Sequence, residues 1–268
     1  MKPSNSSESR QFAGTAYRVY GEGEPIVLIH GVGMDQRSWQ PQIEALASNH
    51  LVVTYDMLGH GASALPPDSV PLSSFAEQLL QLLEHLSIPR ANIVGHSMGA
   101  LVAIEFALTY PERTHRLLAL NAVFQRSQEQ RAAVLERAQA LKRHGVGATV
   151  DSTLARWFGE PVPEHLRHVA ALSCDILSDV NALGYARAYQ LFATSDDVHS
   201  SRLPSLNLPA LFMTGEFDPN SSPAMSLAMA AITPRAQAQI VPGARHMMNL
   251  TDAQQINERL LSFIAQTA

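Results

Sequence analysis

The chain of 268 residues holds a single cysteine, Cys174, so it can form no internal disulfide. That suits a reducing compartment, and a cytoplasmic location is the expectation. Cys174 lies in the apolar segment 170–177, far from any paired histidine motif, and reads as a packed thiol. No stretch approaches the ~18 uninterrupted apolar residues of a membrane span. No basic run occurs either, and the net charge is −5, so neither a membrane nor a nucleic acid is an expected partner. The first ten residues are polar and lack the apolar segment of a secretory signal. Internal repeats and low-complexity tracts are also missing. What is present is ordinary globular material: 46% hydrophobic and 16% charged residues, enough for a large core.

Short apolar runs recur along both ends of the chain. Residues 11–20 alternate loosely and, with the turn 21–25, suggest an antiparallel edge hairpin. Ile26–Ile29, Leu51–Tyr55, the run ending at Val94, Leu117–Asn121, Ala210–Thr214 and Gln237–Val241 read as strands buried on both faces. Helical spacing separates them over 39–47, from Ser73 as a cap to about His85, over 98–110, 223–231 and 252–265. Strand and helix in alternation predict a mostly parallel sheet wrapped on both sides. Between about Phe124 and Leu203 the rhythm breaks into amphipathic helical text with no strand run. The expected organisation is therefore an α/β core of 1–123 and 204–268, with a helical lid of 124–203 inserted in it.

The most informative stretch is Gly95-His96-Ser97-Met98-Gly99, a G-x-S-x-G between a strand and a helix. A strand turning straight into a helix leaves no room for side chains two residues either side, which the glycines answer. The strained turn pushes Ser97 into the open beside the first helical N–H groups. A serine hydroxyl is a poor nucleophile and needs a base, itself oriented by a third group. Two later strand-end loops supply candidates: Gly215-Glu216-Phe217-Asp218-Pro219-Asn220 and Pro242-Gly243-Ala244-Arg245-His246. Both Asp218 and Glu216 are open as the acid, whereas Asn121–Phe124, after the earlier strand, offers no carboxylate.

These segments together resemble the α/β-hydrolase superfamily over nearly the whole chain: His30-Gly31-Val32-Gly33, the D-x-x-G-H-G-x-S loop at Asp56–Ser63, the Ser97 turn, the loop at Asp218 and Ala244-Arg245-His246. The resemblance implies an α/β-hydrolase fold with a mostly parallel eight-stranded sheet. It implies Ser97 as nucleophile, His246 as general base, Asp218 as orienting acid, and the backbone N–H groups of Val32 and Met98 as oxyanion donors. Leu154–Phe158 and Gly184–Ala186 resemble the lid of 3-oxoadipate enol-lactonases.

A serine hydrolase acting through an acyl-enzyme on a small ester or enol-lactone is what this implies, with no metal and no organic cofactor. Such a substrate carries a carboxylate, for which Arg156 and Arg187 are lid candidates, with Trp157 lining the pocket. A C–C bond hydrolase of ring-cleavage products, a cofactor-free haloperoxidase and a slow-turnover ligand receptor share the same fold and stay open as alternatives. So does a homodimer. The other histidines have plainer roles: His96 packs, His30 and His60 tie loops together, and His165 and His168 form a solvated helix face.

Overall fold

The computed structural model describes residues 6–266; residues 1–5, the first half of the polar N-terminal stretch, and 267–268 lie outside the described residues. Eight strands form one sheet: β1 (Ser6–Phe12), β2 (Thr15–Tyr20), β3 (Glu24–Ile29), β4 (His50–Tyr55), β5 (Ala91–His96), β6 (Thr114–Leu120), β7 (Ala210–Gly215) and β8 (Ala236–Val241). Their spatial order is β1-β2-β4-β3-β5-β6-β7-β8. The first two strands run antiparallel to their neighbours, and every pairing from β4 onward is parallel. The edge hairpin turns at Ala13–Gly14, not at 21–25 as the glycines there suggested. Gly21–Gly23 instead carry the chain from β2 to β3, which are not sheet neighbours.

Period-two geometry explains why continuous apolar runs suit the centre of this sheet. Val27, Ile29, Val53, Tyr55, Ile93, Leu117 and Phe212 point to one core. Ile26, Leu28, Val52, Val94, Leu118, Leu211 and Met213 point to the other. The first core is closed by α2 (Leu72–His85) and α3 (Met98–Thr109), the second by α1 (Gln40–Leu46) and α10 (Ala253–Ile264). Ser73 does not cap α2: Pro71 holds the cap position with no side-chain bond, and Ser73 lies in the first turn. β8 at the edge is only half-buried, in keeping with its sequence AQAQIV.

Between β6 and β7 the chain is helical: α4 (Gln128–His144), α5 (Val150–Phe158), α6 (Arg167–Asp179) and α7 (Ala182–Thr194). A capping box starts α4, in which Ser127 and Gln130 bond each other's backbone N–H. α7 docks on the core through two glycines: a Cβ on Gly184 would collide with the carbonyl of Gly59. The rest of the core is α8 (Pro223–Ile232) and α9 (Met248–Thr251).

The parallel strand ends gather at one edge, because Ile29 is level with both Tyr55 and Gly95, and His96 with Leu120. That alignment depends on close backbone contact at the turn after β5. A Cβ on Gly95 would strike the carbonyl of Gly99, and one on Gly99 the carbonyls of Ile29 and His30. Backbone cannot yield as a flexible side chain can. Gly99→Ala should therefore cost about 3 kcal/mol or more, lowering Tm by roughly 6–12 °C. Gly147→Ala, where nothing lies within 4 Å, should leave Tm nearly unchanged in the same thermal melt.

Candidate active site

Ser97 sits at the turn between β5 and α3 with φ 55° and ψ −116°, a conformation that L residues rarely adopt. Its own N–H donates to Leu120 O at 2.8 Å, so the neighbouring strand holds the strained turn in place. The first N–H groups of a helix have no intrahelical acceptor. Here the Met98 N–H has no protein acceptor among the described residues, and neither has that of Val32 on the loop after β3.

His246 and Asp218 meet because their loops are stitched together. Glu216 N–H donates to Val241 O at 3.0 Å, and Phe217 N–H to Ala244 O at 2.9 Å. A Cβ on Gly215 would collide with the Ala244 carbonyl, so only glycine lets the two loops approach this closely. His246 Nδ1–H donates to Asp218 Oδ2 at 2.8 Å. That bond fixes the tautomer, leaving Nε2 as the acceptor for the Ser97 hydroxyl at 3.2 Å. All three residues are buried. Glu216, the other carboxylate on the loop, is exposed and accepts from Gly243 N–H at 2.8 Å.

Asp218 has two further donors. Asn121 Nδ2 donates to Oδ2 at 2.8 Å, and Asn220 N–H donates to Oδ1 at 2.8 Å. Burial pushes the Asp218 carboxyl up, but His246 and these donors outweigh it, so its pKa lies below the ordinary value. The site therefore keeps a carboxylate ionised under the imidazole. In the sequence, Asn121 marks only the lack of a carboxylate after its strand. Its position at the end of β6, beside the end of β7, was the available signal for its contact with Asp218.

A small cavity of about 20 Å³ opens on Ser97 and His246, lined also by Val32 and Met34. Helices α5 and α7 close it with Arg156, Trp157, Tyr189 and Phe192. Trp157 stacks on the His246 ring, with centroids 6.2 Å apart and planes at 27°. Arg156 is held by Ser152 O at 3.0 Å and Thr153 Oγ1 at 3.2 Å, and pairs with no carboxylate among the described residues. Burial lowers its pKa, an unfavourable state for a cation that an anion would relieve. Arg137, which no sequence motif marks, donates from Nε to Tyr189 OH at 3.2 Å. Arg187 is not at the cavity: it donates to Pro66 O at 2.7 Å and pairs with Asp68, fastening α7 to the 66–68 loop.

His96 donates from Nε2 to the His246 carbonyl at 2.8 Å, so it holds the His246 backbone as well as packing. His165 and His168 are both exposed, but His165 belongs to a 3₁₀ turn before α6 and they do not share one helix. Among the described residues no group of three or more His, Cys, Asp or Glu side chains could hold a metal ion. Cys174 is half-buried on α6. No helix is long and apolar enough to cross a membrane among the described residues.

A family model for the alpha/beta hydrolase fold matches residues 24–253. The chain is 35% identical over 252 residues to the (E)-2-((N-methylformamido)methylene)succinate hydrolase of Acinetobacter baylyi, covering 94% of each chain. It is 32% identical over 194 residues to 3-oxoadipate enol-lactonase 1 of the same organism, covering 72% of this chain and 71% of that one. The crystal structure of the enol-lactonase from Burkholderia xenovorans LB400 superposes with a TM-score of 0.88 at 28% identity, over 97% of this chain and 100% of that one.

The buried imidazoles make stability fall in acid. Burial depresses His60 and His96 to about 3 from an ordinary 6.5. Below about pH 6.5 the unfolded chain binds these protons and the folded chain does not, so each histidine costs about 2 kcal/mol of stability at pH 5. Lowering the pH from 7.5 to 5 should therefore drop Tm by more than ~5 °C. A flat Tm over that range would show that these rings are not held neutral.

Proposed function

The chain belongs to the alpha/beta hydrolase fold family, and we propose that it is a serine hydrolase acting on a small carboxylate-bearing ester or lactone through an acyl-enzyme. The observation that carries this reading is the hydrogen-bonded line from Asp218 through His246 to Ser97. Val32 lines the same cavity as Ser97 and Met98 follows Ser97 in the chain, and neither N–H has a protein acceptor among the described residues. In that arrangement Ser97 Oγ attacks the carbonyl carbon while His246 Nε2 takes its proton, and Asp218 stabilises the resulting imidazolium. The Val32 and Met98 N–H groups donate to the oxyanion, each worth about 3 kcal/mol in the transition state. Collapse expels the alkoxide or enolate, which takes the proton back from His246. Water, deprotonated by the same imidazole, then releases the acid and restores Ser97.

The carboxylate on the substrate is supported by charge. Arg156 lines both the Ser97 cavity and an adjoining one of about 240 Å³, which Arg126 and Arg137 also line. Arg126 and Arg131 share the buried Asp196, at 3.4 and 2.9 Å, and no carboxylate is paired with Arg137 or Arg156 among the described residues. The adjoining space is thus electropositive. A succinate and an oxoadipate lactone, the compounds named for the two curated relatives, would suit it. The cavity at Ser97, about 20 Å³, has room for a water rather than a whole ester, so the bulk of the substrate would lie in the adjoining space.

Ser97→Ala should lower kcat by about 10⁴ or more on a carboxylated aryl ester with the fold intact by circular dichroism. Near-normal turnover would remove Ser97 from the mechanism. Arg156→Gln should raise KM for anionic esters by ~10-fold or more and leave neutral esters alone, as charge-assisted hydrogen bonds are lost. Arg187→Gln should change neither KM. Equal effects of Arg156→Gln on both ester classes would refute the carboxylate contact.

A further inference from the structure

We propose that His30 and His60 are positioning residues for the oxyanion site: as neutral imidazoles of one fixed tautomer, they aim the Val32 N–H toward the Ser97 hydroxyl. The proposal rests on the serine-hydrolase reading and adds residues that touch neither substrate nor reacting atoms.

The loop they act on cannot hold its own shape. Gly31 and Gly33 flank Val32, and glycine rotates its peptides with little steric hindrance. A half-turn of the Gly31–Val32 peptide would present a carbonyl oxygen to Ser97 in place of an N–H. In a planar trans peptide the C=O and the following N–H point in opposite directions, so tying one aims the other. The Gly31 carbonyl is tied twice: it accepts from His30 Nδ1–H at 2.8 Å and from Met34 N–H at 3.1 Å. On the far side of Val32, Gly33 N–H donates to His60 Nε2 at 3.0 Å. Gly33 has φ +80°, and a Cβ there would press on the Tyr185 ring, so no other residue could close the turn as well.

Each ring is in turn fixed by backbone groups whose roles are not in question. His30 Nε2 accepts from Met57 N–H at 2.9 Å. His60 Nδ1–H donates to Leu58 O at 3.1 Å. Both rings are therefore Nδ1–H tautomers with both nitrogens engaged, fully buried, and packed edge to face 5.1 Å apart. Neither can rotate or flip without losing a bond to the loop. Burial holds both pKa values below the ordinary histidine value, which keeps the acceptor nitrogens free of a proton.

A merely structural role would lower the yield or Tm but leave the surviving enzyme's chemistry unchanged, so the test reads chemistry. The ratio of kcat/KM for 4-nitrophenyl acetate to that for its thionoester, each corrected for its hydroxide rate, reports oxyanion donation by the active fraction alone. His60→Leu should lower kcat about 30-fold with KM within about twofold, and lower the ratio about tenfold. His60→Gln, whose side-chain oxygen can accept from Gly33 N–H, should recover most of both. His60→Asn, polar but too short to reach, serves where His60→Leu does not fold, and should behave like it. A folded His60→Leu or His60→Asn with the unmodified ratio overturns the proposal. So does a rise in KM alone. Turnover by the unmodified protein that survives Ser97→Ala would instead overturn the serine reading beneath it.

Discussion

The hydrogen bond from His246 to Asp218 is the contact on which the site depends. A buried carboxylate is costly unless it is compensated, and here the compensation is what gives the imidazole its direction. Asp218 takes donors from Asn121, Asn220 and His246. With its charge held ionised, it fixes the proton of His246 on Nδ1 and leaves Nε2 to face Ser97. Three strand ends take part in that one contact. The loops after β7 and β8 bring the pair together, and the end of β6 contributes the amide that supports it.

The same edge of the sheet stores strain. Ser97 and Asn121 both have positive φ, 55° and 53°, at the ends of neighbouring strands. Each is tied by a backbone bond to the next strand, Ser97 N–H to Leu120 O at 2.8 Å and Asn121 N–H to Met213 O at 2.7 Å. Such conformations cost about 1–3 kcal/mol each and persist only where surrounding structure insists on them. Here the insistence comes from two apolar cores that hold the sheet level, and from glycines that let backbones touch. Stability in the cores is thus converted into direction at the edge. The 31–33 loop follows the same logic with side chains, since His30 bonds the Gly31 carbonyl and His60 accepts from the Gly33 N–H.

Much of this was legible in the sequence. Apolar runs on both sides of a helical tract described the sheet and what interrupts it, because strands buried on both faces leave continuous hydrophobic text. Place after strands marks Ser97, His246 and the pair Glu216 and Asp218; the family resemblance points to Asp218, and in the structure Ser97, His246 and Asp218 meet. The hairpin turn was misplaced because Gly21 and Gly23 looked like turn formers, while the true turn uses Ala13 at positive φ, which carries little sequence signal. Ser73 was read as a cap, but Pro71 leads the chain into the helix. Arg156 and Arg187 are both lid arginines in the sequence, and only the fold shows that one faces the cavity and the other a loop carbonyl. Arg137 and Tyr189 were invisible for the same reason, since their pairing crosses two helices whose packing no local pattern encodes.

The central claim is that Ser97 is an activated nucleophile. Intact-protein and peptide mass spectrometry after treatment with a 4-nitrophenyl alkylphosphonate tests it most directly, because the reagent leaves a stable adduct on the attacking oxygen. The account predicts one phosphonyl group per chain, located on the peptide containing Ser97, with labelling slowed by orders of magnitude in His246→Ala. Labelling on another residue, or no labelling by a protein that hydrolyses esters, would contradict it.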